Sequence, residues 1–443
     1  MNTIPVTDDR QLIQWFRQAM PYINAHRGKT FVVMLGGDAV DDDNIRNIIY
    51  DIALLNTLGV RLVIVHGVRR QLDQKLQRSG IESQFVGDLR VSDKQVMAAA
   101  IEACSLVRSQ LETQLSMGLP NSPMHGASVR VASGNVITAK PAGIIDGIDL
   151  QQSGKVRKID TAAINTLLDL GNVVLLSPLG YSPAGESFSL GYQHLASEIA
   201  IALQADKLIA FTKEAGLYDE NDQLQREISA AEARQQIEKK GPDNHFSRCV
   251  LQATEAVKRG VPRAHLMSYC SDGTLLQELF SVDGAGTLIS DRPFEILRTA
   301  TAEDIPAIVD IIAPMEAQGV LLKRDREKLE AEIHYFTVVE REGLIVALAA
   351  LYPYPQSGMG EIACIVTHPD YRKQSRGATL LQTLEKTAQE MSLKKIFVLT
   401  TQTAHWFLEN GFTPSDAEQL PQQKQSLYNY QRNSRVLIKT LRN

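Results

Sequence analysis

Between Glu361 and Glu390 the chain reads EIACIVTHPDYRKQSRGATLLQTLEKTAQE, which brings a carboxylate, a short apolar run, a basic loop and an amphipathic repeat into close succession. Glu361 opens a run of Ile, Ala, Cys and Val that stops at His368 and Pro369, the pattern of a mostly buried strand with one charge at its start. From Gly377 onward Leu380, Leu381, Leu384 and Ala388 recur at helical spacing. The loop between strand and helix carries Arg372, Lys373 and Arg376. A helix N-terminus presents unpaired N–H groups and the positive end of the dipole, so this segment is suited to holding an anion such as a phosphate.

The elements that must position the segment begin after a polar break containing proline, SDRPF at 290–294, which predicts a domain boundary there, with domains at 1–290 and 291–443. Downstream the sequence predicts a strand over Phe294–Thr299, a capped helix from Thr301 and Asp304 through Ile312, and a hairpin of Tyr335–Glu340 with Leu344–Tyr352. Lys395–Thr400 reads as the next strand, Ala404–Glu409 as a short helix, and Leu427–Leu441 closes the sheet. Upstream, the apolar runs Phe31–Leu35, Arg61–His66, Val173–Pro178, Lys207–Thr212 and Arg263–Ser268 alternate with amphipathic stretches such as Ile45–Leu58 and Thr161–Leu170. That alternation predicts a parallel sheet covered on both faces. Gly126–Ala142 alternates in the manner of a hairpin, and Gln11–Ala25 predicts a helix ahead of the first core, docked on its own domain or on a partner subunit.

At 443 residues, 44% hydrophobic and 22% charged, the chain has the composition of a soluble protein of two or three domains. A net charge of −5 without a large Lys and Arg cluster argues against nucleic acid as a partner. The scattered cysteines Cys104, Cys249, Cys270 and Cys364 form no CxxC and the histidines no HxH or HExxH, so reduced thiols, a cytoplasmic location and no metal site are expected. No apolar run reaches the ~18 residues of a membrane span, and with Asp8, Asp9 and Arg10 where an apolar core would lie no signal peptide is expected.

YRKQSRGATLL resembles the pyrophosphate-binding loop of the GNAT acetyltransferases, with Arg372 in its first place, Gly377 in its last and Ser375 where a glycine is usual. The strand order of the whole last domain resembles that family as well. The resemblance implies acetyl-CoA as co-substrate, its pyrophosphate on the N–H groups of Gln374, Ser375, Arg376, Gly377 and Ala378. Its pantetheine would pair with the backbone of Ile365 and Val366, the Val366 N–H holding the forming oxyanion. Glu361 would be the general base that takes a proton from the acceptor amine, with Thr400 or Thr401 near the departing thiolate.

The first domain, with GG after the first strand, HG after the second, GNVVLLSPLG, ADKLIAFT and DGTLLQELF before GAGT, resembles the amino-acid kinase family and its N-acetylglutamate kinases. The catalytic positions depart from that pattern. Met34 and Cys249 stand where two lysines are expected, Gln193 where an Asp is, and Val68, Arg69 and Arg70 fill the glycine loop, which implies a kinase fold without phosphoryl transfer. Tyr22, His265, Glu278, Gly284, Gly286 and Thr287 look like the L-arginine site of arginine-inhibited members.

The expected fold is therefore α/β, a three-layer open sandwich of the amino-acid kinase type followed by a GNAT α/β domain. Such a pairing resembles the bacterial N-acetylglutamate synthases, which implies acetylation of L-glutamate at the start of arginine biosynthesis, feedback inhibition by L-arginine, and a homo-oligomer, a hexamer. The substrate residues implied are Leu322, Arg324, Cys364, Lys424 and Arg432, since two carboxylates call for at least two cations. Two other classes stay open at this point: an acetyltransferase for protein lysines or other amino acids with an amino-acid-sensing front domain, and a non-catalytic arginine-responsive regulator.

Overall fold

The computed structural model describes residues 9–241, 244–281, 284–291, 295–341, 344–371, 376–425 and 434–441. The chain divides into two compact units, Met1–Arg292 and Pro293–Asn443.

In the first unit the five apolar runs become β1 (Thr30–Leu35), β2 (Arg61–His66), β4 (Val173–Leu176), β5 (Lys207–Thr212) and β7 (Ala264–Ser268), joined by the short strands β3 (Val131–Ala132), β6 (Glu227–Ile228) and β8 (Thr287–Ile289), which no run predicted. They form one eight-stranded sheet in the order β6-β8-β7-β5-β1-β2-β4-β3, parallel except where β8 runs against β7. Every residue of β1 and β5 is buried, as strands covered on both faces must be. The helices that matter below are α1 (Asp9–His26), α2 (Ile45–Thr57), α3 (Tyr192–Ala202), α4 (His245–Lys258) and α5 (Thr274–Phe280). One face of the sheet, through Val32, Met34, Val63 and Val65, shares a core with Leu195 and Ile199 of α3 and Val250 and Ala253 of α4.

The hairpin expected over Gly126–Ala142 does not form. β3 joins the edge of the main sheet, whereas Ile137–Pro141 crosses to a separate four-stranded sheet and pairs there with Gly154–Ile159. An alternating pattern specifies a half-buried strand but leaves its partner open.

The second unit contains β9 (Glu295–Thr299), β10 (Phe336–Arg341), β11 (Leu344–Tyr354), β12 (Met359–Thr367), β13 (Lys395–Thr400), β14 (Thr413–Ser415) and β15 (Arg435–Thr440). Their order is β9-β10-β11-β12-β13-β15-β14, antiparallel except between β12 and β13. Thr301 and Asp304 form a reciprocal capping box ahead of α6 (Ile305–Ala317), and α7 (Arg376–Glu390) follows the basic loop. Ile308 and Ile312 of α6 pack on Leu348, Ala350, Cys364 and Val366. Among the described residues no helix is long and apolar enough to cross a membrane.

Candidate active site

β12 is the element on which the site is built. Its pairing with β11 slips by one residue between Leu348 and Ala350, and Cys364 takes the extra place with φ +55°, a left-handed conformation that costs a non-glycine residue energy. On the other edge the parallel ladder to β13 runs only from Met359 with Lys395 to Glu361 with Phe397. Past Glu361 the two strands are unpaired, although β12 continues to Thr367 and β13 to Thr400. That opening leaves one edge of β12 available to an extended ligand, the geometry of strand addition.

The register corrects one assignment. His368 donates its N–H to the Val346 carbonyl at 2.8 Å, and Leu348 lies opposite Val366. In an antiparallel ladder residues two apart repeat the pattern, so the Val366 N–H also faces β11 and is turned away from the opening. The alternation assigns the outward N–H groups to Ile365 and Thr367.

Glu361 stands where the strands part and is 6% exposed. Its Oε2 lies 2.7 Å from the Lys424 Nζ and accepts a hydrogen bond from the Tyr354 hydroxyl at 3.3 Å. Burial, followed by the charge of Glu361, pushes the Tyr354 hydroxyl above its usual range, so it remains a donor. Tyr352 lies directly across the ladder from Glu361, donates to Glu332 Oε2 at 2.9 Å and is hydrogen-bonded to Arg324. Arg324 donates to the Leu322 carbonyl at 3.2 Å, and burial pushes the Cys364 thiol up to about 11 against the opposing charge of Arg324. Leu322, Arg324, Cys364, Lys424 and Glu361 thus gather around β12, with Leu322 exposed at the rim. Arg432 lies outside the described residues. Tyr352 and Tyr354 escaped the sequence reading, although their alternation on a strand paired with the Glu361 strand is the signal that finds them.

At the loop, Gln374 and Ser375 lie outside the described residues. Arg376, Gly377 and Ala378 form the first turn of α7, with their backbone N–H groups at its N-terminus. The side chain of Arg376 does not add charge to a ligand as expected. It is 6% exposed, grips both oxygens of Glu295 from Nε at 2.8 and 2.9 Å, and donates to the Tyr371 carbonyl at 2.5 Å. This bidentate pair ties the start of α7 to β9. Thr400 accepts an N–H from Thr403 at 3.0 Å and shares a 2.9 Å hydroxyl contact with it.

In the first unit His265, Glu278, Gly284 and Gly286 come together. Glu278 Oε1 accepts from His265 Nδ1 at 2.7 Å, while Oε2 accepts the N–H groups of Ala285 and Gly286 at 2.7 and 2.8 Å. Burial works to raise the Glu278 carboxyl, but these donors outweigh it and hold the group ionised, below the usual carboxylate range. Burial and the nearby Lys207 push His265 down, so its Nδ1 carries the proton and its Nε2 faces the Lys207 Nζ at 3.5 Å. Lys207 was absent from the sequence expectations because it reads as the first residue of a buried strand. Thr287 is committed to the backbone: its hydroxyl donates to Gln225 O at 2.7 Å and accepts from Leu217 N at 2.9 Å. Tyr22 is buried on α1, the helix whose His26 Nε2 lies 2.9 Å from the Leu279 carbonyl.

The glycine turns after β1 and β2 face Tyr192. A Cβ on Gly67 would meet the Tyr192 ring at 2.9 Å, and one on Gly36 its hydroxyl at 2.8 Å. That hydroxyl lies 2.6 Å from His245 Nε2 and 3.8 Å from the Cys249 sulfur. The space beside both turns is filled by a side chain.

The amino acid kinase family model matches residues 29–268, and the acetyltransferase (GNAT) family model matches residues 305–412. An amino-acid acetyltransferase of Pseudomonas syringae pv. syringae is 48% identical over 431 residues, 97% of this chain and 100% of its own length. One from Pseudomonas fluorescens (strain Pf0-1) is likewise 48% identical, with the same coverage. The crystal structure of N-acetylglutamate synthase from Neisseria gonorrhoeae complexed with coenzyme A and L-arginine aligns at a TM-score of 0.89 with 35% identity, covering 97% of this chain and 99% of that one. The same protein complexed with coenzyme A and N-acetyl-glutamate aligns at 0.62 with 36% identity and the same coverage.

Proposed function

The chain belongs to the amino-acid acetyltransferase family, and from that premise we propose that it transfers the acetyl group of acetyl-CoA to the α-amine of L-glutamate, giving N-acetyl-L-glutamate and CoA. The product places the reaction at the start of arginine biosynthesis. What carries the reading is one juxtaposition: a buried carboxylate, Glu361, on β12 at the point where β12 and β13 part, with the N-terminus of α7 on the same unit.

The α-amine of an amino acid is mainly protonated near pH 7 and cannot attack a thioester in that form. Glu361 takes its proton, directly or through a water. The neutral amine then adds to the acetyl carbon, the C–S bond breaks, and CoA leaves as its thiolate. Pantetheine lies along the free edge of β12, where the N–H of Ile365 stabilises the oxyanion and that of Thr367 holds the chain. The pyrophosphate rests on the first N–H groups of α7, at Arg376, Gly377 and Ala378, together with Gln374 and Ser375. Arg324 and Lys424, with Arg432, meet the two carboxylates of glutamate, and Leu322 and Cys364 border its aliphatic part.

Residues 1–290 act as a kinase-like domain without phosphoryl transfer, because Met34 and Cys249 replace the lysines and Tyr192 fills the space at the glycine turns. This domain binds L-arginine at Tyr22, His265, Glu278, Gly284 and Gly286, and assembles the chain into a homo-oligomer, a hexamer, in the cytoplasm. The decisive measurement is release of CoA thiol from acetyl-CoA by the purified chain with glutamate or with a peptide mixture as acceptor. Glutamate supports turnover and Glu361→Gln lowers it by roughly 10²–10⁴-fold. Turnover with peptides alone, or an unchanged rate in the variant, overturns the assignment.

A further inference from the structure

A cavity of about 500 Å³ in the first unit, between α2, the loop over 123–128 and the residues leading into α5, takes no part in the chemistry above. Its wall holds Asp51, from the inner face of α2, and Asp272. Asp51 is 9% exposed, yet among the described residues its carboxylate has neither a hydrogen bond nor an ion pair. A carboxylate largely withdrawn from water and without a protein donor is costly to keep charged. Here that cost is visible, since burial and then the charge of Asp272 push Asp51 up to about 7. The other titratable groups facing the cavity are His125 and Tyr50, and no lysine or arginine lines it among the described residues. The rest of the wall is largely apolar, with Leu54 43% exposed at its rim and Met124 buried.

Two carboxylates without a counter-charge in the wall, Asp51 buried and Asp272 exposed, complement a cation that carries a hydrocarbon stem. A bare metal ion suits the place less well, because among the described residues no three His, Cys, Asp or Glu side chains group as ligands. We propose that this cavity binds a small organic monocation, an ammonium or guanidinium group on a short aliphatic chain, through Asp51 and Asp272. Its stem lies on Leu54 and Met124. Binding is distinct from the arginine site at Glu278, although Leu276 of the wall and Glu278 share α5.

The test is calorimetric titration of the full chain at pH 8, where Asp51 is ionised, with butylammonium, butylguanidinium and Mg²⁺ as separate probes. Both organic cations bind the wild type and Glu278→Ala alike. Asp51→Asn weakens them by about tenfold or more, the loss of one charge-assisted bond. Leu54→Trp, which narrows the mouth and leaves Asp51 in place, weakens them as well and guards against an Asp51→Asn chain that fails to fold. At pH 6 each bound cation displaces a proton from Asp51, read as a dependence of the heat on the buffer. Equal binding by Asp51→Asn, heat from Mg²⁺ alone, or no heat from any probe overturns the proposal.

Discussion

At the scale of single residues the site turns on the pairing of Glu361 with Lys424. The two side chains are 8% and 18% exposed, and at 2.7 Å they form a partly desolvated ion pair, stronger than a surface bridge. In the proposed mechanism Glu361 receives the amine proton, and Lys424 occupies one of its two oxygens. On that proposal a substrate carboxylate would compete for the same ammonium, so that binding of glutamate would free the base when an amine is present. Lys424→Met should therefore raise KM for glutamate by roughly 10- to 100-fold, the weight of one hydrogen bond to a charged group, while kcat holds. Steady-state kinetics decides it: an unchanged KM removes Lys424 from the substrate pocket. Glu361 was legible in the sequence because a lone carboxylate opened an apolar strand ahead of a basic loop. Its partnership with Lys424 was not, since the lysine lies in a polar segment whose approach to β12 depends on tertiary folding.

Elements set what those residues face. The apolar runs were legible as strands and the Thr301 to Asp304 box as a helix start, because each is a local signal. The bulge at Cys364 was not, because a cysteine gives no sign of φ +55°, and the register it sets turns the Val366 N–H toward β11 and leaves that of Ile365 on the open edge. The turn before β8 was singled out only by its resemblance to the family, and its geometry explains the two glycines. A Cβ on Gly286 would come within 1.9 Å of the Leu266 carbonyl oxygen, and Gly284 holds φ +63° against the Glu278 carboxylate. These two glycines let the backbone N–H groups of Ala285 and Gly286 close on Glu278. Gly286→Ala must push the turn off β7, at a cost of about 1–3 kcal/mol, and pull those donors from the carboxylate. Acetyl transfer in the second unit should survive while inhibition by L-arginine is lost, which an arginine titration of thiol release reads directly. A variant inhibited as the wild type is would place the effector elsewhere.

For the molecule as a whole, the compact units Met1–Arg292 and Pro293–Asn443 divide within the polar stretch 290–294, where the sequence predicts a boundary after residue 290. It did not show that Tyr192 fills the space beside the two glycine turns, because that is a packing fact. Nor did it decide where α1 docks. The helix has two sides: Ala19, Tyr22 and His26 are buried toward α5, while Ile13, Phe16 and Met20, spaced by three and four, are 50%, 63% and 55% exposed. Large apolar side chains aligned along one helix face form a stripe that water opposes and a second copy of the chain can cover. Its exposure supports assembly through α1 and gives the oligomer a test independent of activity. Phe16→Glu puts a charge in the middle of the stripe and leaves the inward residues of α1 untouched. Light scattering behind size exclusion should find a smaller assembly for this variant than for the wild type, with its far-ultraviolet circular dichroism unchanged. The same mass for both chains would place the assembly contacts on another surface of the first unit.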